Sequence, residues 1–255
     1  MANLFDVTPR AAGHVREQWA ALSAPAPAAE VFAPAQTENL IAPVRAWLRH
    51  AIAEGTPLAT TACLRMYGHI RIGTWRPFTA TQLLAPGVGF IWAATAKMAG
   101  LPVVGYDRYV DGTGEMRWRI GGLIPVMSAR GADVSASAAG RLAIESVFVP
   151  TAFRRAQWSS DDGAIHATWS IDEHRETVEL DIGEDGRLRG AVMARWGNPD
   201  GLPYARYPFG VTFESEGRFA GITIPTRVRA GWWWRTDQQE RGEFFRATVT
   251  AAAFR

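Results

Sequence analysis

The sequence predicts a mainly β protein: a strongly curved antiparallel sheet of about ten strands, a half or closed barrel, with helices before it and one helix packed on it. Two observations predict this fold. From Ala62 to Arg255, apolar and polar residues alternate with a period of two, which is typical of half-buried strands. Between these segments lie turn sequences such as Asp161–Gly163 and Glu184–Gly186, which suit hairpins and leave no room for crossover helices.

The first 58 residues differ from the rest, and we expect residues 59–255 to form a single β domain. Apolar residues at helical spacing predict a helix from Pro9 to Leu22 and a second from about Asn39 to Ala53. Between them, the stretch from Ser23 to Pro34 is rich in Ala and Pro and is expected to be an extended linker.

The strands are predicted from alternation alone, in this order: Leu64–Ile72, Val88–Met98, Val103–Val110, Glu115–Ile120, Ile165–Ile171, Thr177–Ile182, Leu188–Trp196, Phe209–Glu214, Arg218–Ile224, Arg227–Trp234 and Glu243–Thr250. A further hairpin turn is expected at Glu216-Gly217. After Pro150 no helix signal intervenes, so neighbouring strands should pair in sequence and antiparallel.

One helical insert is expected at about residues 133–148. Asp133 can cap its beginning, and Pro150 ends it. The first half of the insert, Ser135–Gly140, consists of Ser, Ala and Gly. Small side chains let a helix lie close to a sheet, so we expect this helix to pack across the concave face.

Composition excludes several classes of function. The formal net charge is +2 with no Lys/Arg cluster, which argues against nucleic acid as a partner. The lone Cys63 excludes an internal disulfide and a cysteine zinc site, the histidines have no metal-ligand spacing, and no phosphate-binding glycine motif occurs, so neither a metal nor a cofactor is expected. No uninterrupted apolar run could span a membrane, and residues 1–18 do not resemble a signal peptide, so the expected location is cytoplasmic.

Several segments together resemble a family of uncharacterised bacterial proteins catalogued as a domain of unknown function. The segments are Gly114–Arg119, Ala139–Pro150, Arg195–Asn198, Ile224–Arg227 and Gly242–Thr248. The resemblance covers roughly Trp47 to Arg255 and implies no activity. More loosely, the β pattern with one crossing helix is similar to the half-barrel architecture of bacterial lipoprotein carriers, although this chain lacks their signal peptide and lipobox.

Glu145 is the first candidate for chemistry. It lies four residues after Arg141 on the insert helix, and a desolvated carboxylate there could act as a general acid or base. Arg117 and Arg119 share one face of their strand and could bind a carboxylate or phosphate. Each set also has a structural interpretation, as helix or cross-strand ion pairs. We expect Glu145 to be mostly buried and paired with at least one of these arginines.

The tryptophans point to a ligand cavity or, alternatively, to a filled core. Trp92 and Trp118 lie on the apolar faces of their strands and are expected to point inward. The ligand-binding candidates are therefore Trp92, Arg117, Trp118, Arg119, Arg141, Arg195, Trp196 and Trp232. His69 is a weaker catalytic candidate, because it shares a face with Arg65, Tyr67 and Arg71.

Three functions fit these residues. The first is binding of an apolar small molecule, with or without an acidic head group, in the concave sheet. The second is a cofactor-independent lyase, isomerase or hydrolase that uses Glu145 with Arg117 and Arg119. The third is a structural or interaction protein whose Trp-rich strand docks a partner. The sequence decides neither between them nor on the ligand or the oligomeric state.

Overall fold

The architecture was obtained from a computed structural model that describes residues 4–24, 30–98 and 100–255. The strands are β1 (Ala62–Ile72), β2 (Thr74–Ala85), β3 (Gly89–Met98), β4 (Leu101–Val110), β5 (Thr113–Ile120), β6 (Ile124–Arg130), β7 (Gln157–Asp161), β8 (Ala164–Ile171), β9 (His174–Ile182), β10 (Leu188–Gly197), β11 (Ala205–Phe219), β12 (Ile222–Trp232) and β13 (Glu243–Phe254). The α-helices are α1 (Arg16–Leu22), α2 (Ala42–Ala51), α3 (Ala132–Glu145) and α4 (Gln239–Gly242).

All the strands described form one antiparallel sheet, in the order β6-β5-β4-β3-β2-β1-β13-β12-β11-β10-β9-β8-β7. Two meanders, β1 to β6 and β7 to β13, are joined where β1 pairs with β13. The sheet is a half-barrel that does not close, and β6 and β7 are its edges. The predicted fold class and the sequential antiparallel pairing after Pro150 are therefore confirmed.

The strand count is the first correction, because the sheet has 13 strands where the alternation predicted about ten. Strands β2, β6 and β7 were not predicted. The hairpin turn expected at Glu216-Gly217 is also wrong, since Glu216 pairs with Pro225 inside the β11–β12 ladder. The chain turns instead at Ala220 and Gly221, whose φ angles of 49° and 87° are left-handed.

Helix α3 connects the two edges of the sheet across its inner face. It follows β6, packs against β4 and β5 on one side and β9 and β10 on the other, and leads towards β7. A short 3-10 turn, Ser146–Phe148, continues it, so the predicted insert at 133–148 is confirmed. Leu142 and Ile144 of α3 and Val147 of the 3-10 turn are buried in the main hydrophobic core with residues from both meanders.

The outer face of the sheet carries a second, smaller core. The predicted first helix begins as a 3-10 helix at Arg10–Val15 and continues as α1. Its Val15 and Trp19 pack with Leu83 and Ile91 of the sheet. Cys63 lies in the same core, and its burial raises the pKa of the thiol to about 12, as suits a small buried hydrophobe.

The remaining N-terminal residues pack on the inner core. Trp47 of α2 contacts the ring of Phe153 edge-on, with ring centroids 4.8 Å apart. Phe32 is buried in the same core. Residues 25–29 of the predicted linker lie outside the described residues. In the part of the chain that is described, no helix is both long and apolar enough to cross a membrane.

Candidate functional site

A cavity of about 330 Å³ lies between α3 and the inner face of the sheet. Apolar side chains form most of its wall: Met66, Phe90, Trp92, Phe209, Phe213, Val228, Ala230, Trp232, Phe244, Phe245, Ala247 and Val249 from the sheet, with Ala138, Ile144, Val147 and Phe148 from the helical segment. Ile70, Tyr204, Phe244 and Phe245 line it and remain partly or well exposed, so they mark its mouth.

Arg141 of α3 reaches into this cavity and is fully paired. Its Nε donates to Glu145 Oε1 at 2.8 Å, and its Nη1 donates to Asp107 Oδ2 at 2.9 Å. The guanidinium also lies over the rings of Phe90 and Trp92. Burial alone would lower the pKa of Arg141, but the two carboxylates outweigh it and raise the pKa. This arginine is fixed as a cation that bridges α3 and β4.

The two carboxylates beside Arg141 have further donors. Glu145 Oε2 accepts a hydrogen bond from Gln82 Nε2 at 2.6 Å, and Asp107 Oδ1 accepts one from the indole of Trp118 at 2.9 Å. Burial raises the pKa of Asp107, and the charge of Arg141 and the bond from Trp118 only partly offset this effect. The side chain of Glu145 is 21% exposed and paired with Arg141, so the prediction for it is confirmed.

Arg195 of β10 is the second arginine in the cavity, and its surroundings are different. It is 9% exposed and lies over the rings of Phe209 and Trp232, at 4.6 Å and 5.3 Å from their centroids. Its Nε donates to the Ser137 carbonyl and its Nη2 to the Ser137 hydroxyl. Among the residues described, no carboxylate lies within ion-pair distance of it. Burial, followed by the positive charge of Arg141, lowers the pKa of Arg195 to about 10.

A glycine in α3 explains how the helix can lie so close to these side chains. A Cβ at Gly140 would come within 3.1 Å of Arg195 Cγ and 3.4 Å of Met193 Cε. The expectation that small residues bring the helix close to the sheet is therefore confirmed. At the mouth, Gly197 has the same function for Trp232, whose ring would lie 2.4 Å from a Cβ there.

The structure brings together about half of the site residues that the sequence predicts. Trp92, Arg141, Glu145, Arg195 and Trp232 all line the cavity. Trp118 points inward as predicted but lies behind Trp92, with ring centroids 5.7 Å apart. Trp92 itself is buried, so both predicted orientations are confirmed.

The other predicted site residues lie outside the cavity. Arg117 is paired across the ladder with Tyr106, which belongs to the outer core, so Arg117 and Arg119 point away from the face that carries Trp118. His69 is exposed on the outer face, because Leu64 and Met66 occupy the inward phase of β1. Trp196 donates its indole N–H to Asp133 at the beginning of α3.

Asp107 and Gln82 are two polar cavity residues that sequence analysis missed. Asp107 lies in the inward phase of β4, two residues before the buried Tyr109, so an acid among inward apolar positions was the available signal. Gln82 is buried in the inward phase of β2, a strand that was not predicted. Among the residues described, no cluster of three or more metal-ligating side chains occurs.

Comparisons with known proteins agree with the predicted resemblance. The model of a family of unknown function, DUF6544, matches residues 30–244. A comparison with curated proteins returned no match.

Three solved structures are similar in outline, at 10–11% identity. One is a domain from Vibrio parahaemolyticus assigned to outer membrane lipoprotein sorting (TM-score 0.41, 76% of this chain and 85% of that chain). The second is a DUF1329 family protein from Desulfovibrio piger (TM-score 0.39, 77% and 86%). The third is a LolA superfamily protein from Nitrosomonas europaea (TM-score 0.38, 84% and 92%). TM-scores below 0.5 support no inference about ligand or activity.

Proposed function

This chain belongs to the DUF6544 family of unknown function, and from the geometry of its cavity we propose that it binds an apolar small molecule with an anionic head group. The observation that carries the proposal is the unpaired, buried Arg195 in an otherwise apolar wall. The head group would lie against Arg195, and the apolar part would lie between α3 and the aromatic side chains of the sheet.

The charge argument starts from the cost of burying a cation. A buried guanidinium without an anionic partner costs several kcal/mol relative to water, so folded proteins rarely keep one. Arg141 meets the usual requirement with two carboxylates, whereas Arg195 has one carbonyl and one hydroxyl from Ser137. A guanidinium has five N–H donors in a planar fork that suits carboxylate and phosphate oxygens. An anionic ligand would satisfy the donors that the protein leaves free.

The apolar part of the proposal depends on the shape and lining of the cavity. Its volume of about 330 Å³ is at the small end of the range for small-molecule sites, which is about 300–1,000 Å³. Phe209 and Trp232 lie beside Arg195, and Trp92 and Phe245, which contact each other, line another part of the wall. These rings would cover a hydrocarbon chain or ring system that extends from the head group.

A titration that compares an acid with its matched alcohol tests this function. We expect laurate to quench or shift the tryptophan fluorescence of the full chain. Dodecanol should bind at least about tenfold more weakly than laurate, because it lacks the charge. In Arg195→Met, which keeps the apolar stem and removes the cation, the two probes should bind equally. Native mass spectrometry of protein purified from its own host should detect a retained acidic molecule.

The matched control is Arg218→Met, because Arg218 is exposed at the far end of β11 and has no ion-pair partner among the described residues. It should bind both probes as the wild type does. Equal affinities of wild type and Arg195→Met for laurate would refute the head-group assignment. No fluorescence response to any apolar acid or alcohol would refute the cavity itself.

The enzyme alternative now rests on Glu145 alone, since Arg117 and Arg119 do not reach the cavity. Glu145 lines the wall, but Arg141 and Gln82 each donate to one of its oxygens. If the protein is an enzyme, Glu145→Gln should abolish turnover of the bound molecule and leave the fold intact. If the carboxylate is structural, Glu145→Ala should lower the Tm and leave ligand affinity nearly unchanged. The cytoplasmic location stays a prediction, which cell fractionation would test.

A further inference from the structure

Three hairpin turns lie next to one another on the rim of the sheet that borders the cavity mouth. They join β1 to β2, β3 to β4 and β5 to β6, where Ile72 pairs with Thr74, Met98 with Leu101 and Ile120 with Ile124. In a meander every second turn falls on the same rim, so the ladders bring these tips side by side. Ile70, which lines the mouth, is two residues from the first tip.

The tips carry aliphatic side chains that nothing in the described part of the chain covers. Leu123 is 80% exposed and Ile124 is 64% exposed. The other exposed aliphatic residues at this rim and along the adjoining edge strand β6 are Ile72, Leu101, Val126 and Met127. Isolated exposed aliphatic residues are common, but a run of them on adjacent hairpins marks a surface that contacts something apolar.

The charges on the three tips have one sign. Arg71, Arg76, Lys97 and Arg119 lie on or beside the tips, and none of them has a carboxylate within ion-pair distance among the described residues. The segments 71–76, 97–102 and 116–129 contain no Asp or Glu. Elsewhere the buried acids are paired, as Glu176 is with Arg206 and Glu243 with Arg229. The three tips are therefore both apolar and positively charged.

We propose that this rim, defined by the three tips and β6, docks onto the surface of an anionic lipid bilayer. The aliphatic side chains would enter the headgroup region, and the four cations would face lipid phosphates. This combination of apolar contact with attraction to anionic lipid is how peripheral proteins bind membranes. Docking in this orientation would place the cavity mouth against the lipid. The inference does not depend on what the cavity binds.

Vesicle flotation of the full chain tests the proposal. We expect the protein to float with vesicles of phosphatidylcholine and phosphatidylglycerol in equal amounts, to bind vesicles of phosphatidylcholine alone much more weakly, and to dissociate as salt is added. The double variant Leu123→Ser/Ile124→Ser should lose about tenfold or more in partition coefficient. The double variant Lys97→Gln/Arg119→Gln should lose about tenfold.

Control variants come from the opposite rim. Val88→Ser removes an exposed aliphatic residue at the β2–β3 turn, and Arg218→Gln removes an exposed arginine near the β11–β12 turn. Both should bind vesicles as the wild type does, and all variants should keep the wild-type melting curve, because each altered side chain is at the surface or rim. Laurate titration of the tip variants should match that of the wild type, which separates this test from the test of the cavity.

Three results would overturn the proposal. The first is no binding of the wild type to anionic vesicles. The second is equal binding by the tip variants and the wild type. The third is a concentration-dependent dimer that Leu123→Ser/Ile124→Ser abolishes, since the rim would then be an interface between copies of the chain.

Discussion

Arg141 and Arg195 show how differently one residue type behaves within one cavity. Both are largely buried, and each lies over two aromatic rings. The carboxylates of Asp107 and Glu145 both pair with Arg141 and leave Arg195 with neutral acceptors. The pKa of Arg141 is therefore raised, whereas the pKa of Arg195 is lowered. We therefore expect Arg141 to stabilise the fold and Arg195 to lower its stability when the cavity is empty.

This contrast predicts that removal of Arg195 stabilises the protein without ligand. In Arg195→Met the apolar stem stays over Phe209 and Trp232 while the buried charge is removed, and we expect the free energy of unfolding to rise by about 1–2 kcal/mol. Urea denaturation of the ligand-free protein measures this free energy. Arg141→Met, which leaves two buried carboxylates unpaired, should lower the free energy of unfolding instead. If Arg195→Met is less stable than the wild type, the buried cation does not destabilise the ligand-free protein.

The site residues that could be predicted from sequence are those whose phase within an element is unambiguous. Trp92 lies in an unbroken apolar alternation, and Arg141 and Glu145 lie on the one helix that had to cross the sheet. Arg117 and Arg119 lie on the outer face, in line with the structural interpretation that the sequence left open for them and not with the ligand-binding one, because strand alternation separates two faces without saying which one is inside. The pairing of Arg141 with Asp107 of β4 was unpredictable, since sequence spacing says nothing about contacts between distant elements.

At the level of elements, α3 holds the two meanders together through close contact rather than through large side chains. Gly140→Val should therefore lower the free energy of unfolding by about 2–3 kcal/mol, since the added methyl groups meet Arg195 Cγ and Met193 Cε. Thermal melts monitored by circular dichroism measure the change. The control Ala132→Val, at the exposed beginning of the same helix, should cost well under about 1 kcal/mol. Equal losses in the two variants would show that helix propensity, not packing, explains the glycine.

Two buried glutamates fasten neighbouring strands and give the sheet an acid-sensitive stability. Glu115 of β5 accepts from Arg108 of β4 at 2.8 Å and from Arg130 of β6 at 2.6 Å, and Glu243 of β13 pairs with Arg229 of β12 and with Arg246. Burial would raise the pKa of each carboxyl, but the arginine hydrogen bonds and charges outweigh it and lower both pKa values. Each carboxyl therefore binds a proton more weakly in the folded protein than in the unfolded chain.

The sign of the pH effect follows from the linkage relation. The contribution of these carboxylates is fully present above the ordinary glutamate pKa of 4.5 and is lost as the pH falls through the lowered folded value. We expect the free energy of unfolding to fall in that window. In Glu115→Gln the stability at neutral pH should be lower by about 1–3 kcal/mol, and the acid-dependent decline should be shallower. Urea denaturation over a pH series measures both, and an unchanged acid slope would contradict the assignment.

The elements that sequence analysis missed share a physical cause. Strand β6 is an edge with nearly every side chain exposed, and β7 is a short edge strand with a mostly exposed pattern, so neither has the alternation that reveals a strand. Strand β2 contains Pro77, and the polar Gln82 lies among its inward apolar positions, so its alternation is interrupted. The hairpin was misplaced because the sequence Glu216-Gly217 resembles a turn. In the structure these two residues lie inside the long strand β11, where the β11–β12 ladder is irregular.

For the whole molecule, the order of strands matters more than their number. The final strand, β13, lies in the centre of the sheet and pairs with β1 on one side and β12 on the other. The sequence predicted this strand, but not its place between β1 and β12. Alternation identifies a strand, whereas the pairing of β1 with β13 depends on contacts between residues that are far apart in the sequence.

Ending the chain after Gly242 should therefore abolish cooperative unfolding, because the two meanders lose the strand that joins them. We expect the truncated chain to show no sharp thermal transition by circular dichroism and to bind a dye specific for exposed apolar surface. The full-length chain under the same conditions is the control. A truncated chain that melts as sharply as the full one would show that α3 alone is enough to hold the meanders together.

The central position of the last strand also constrains how the protein is made. A ribosome releases β1 through β12 before the strand that must insert between them, so each meander leaves the exit tunnel with one of its future inner edges, β1 or β12, unpaired. Until β13 has emerged, those edges and the aromatic inner face are open to other nascent chains. Synthesis of this protein therefore creates a need for chaperone protection that lasts until β13 has left the exit tunnel, and a ribosome stalled before that point would hold a half-sheet whose unpaired edges can associate with other chains.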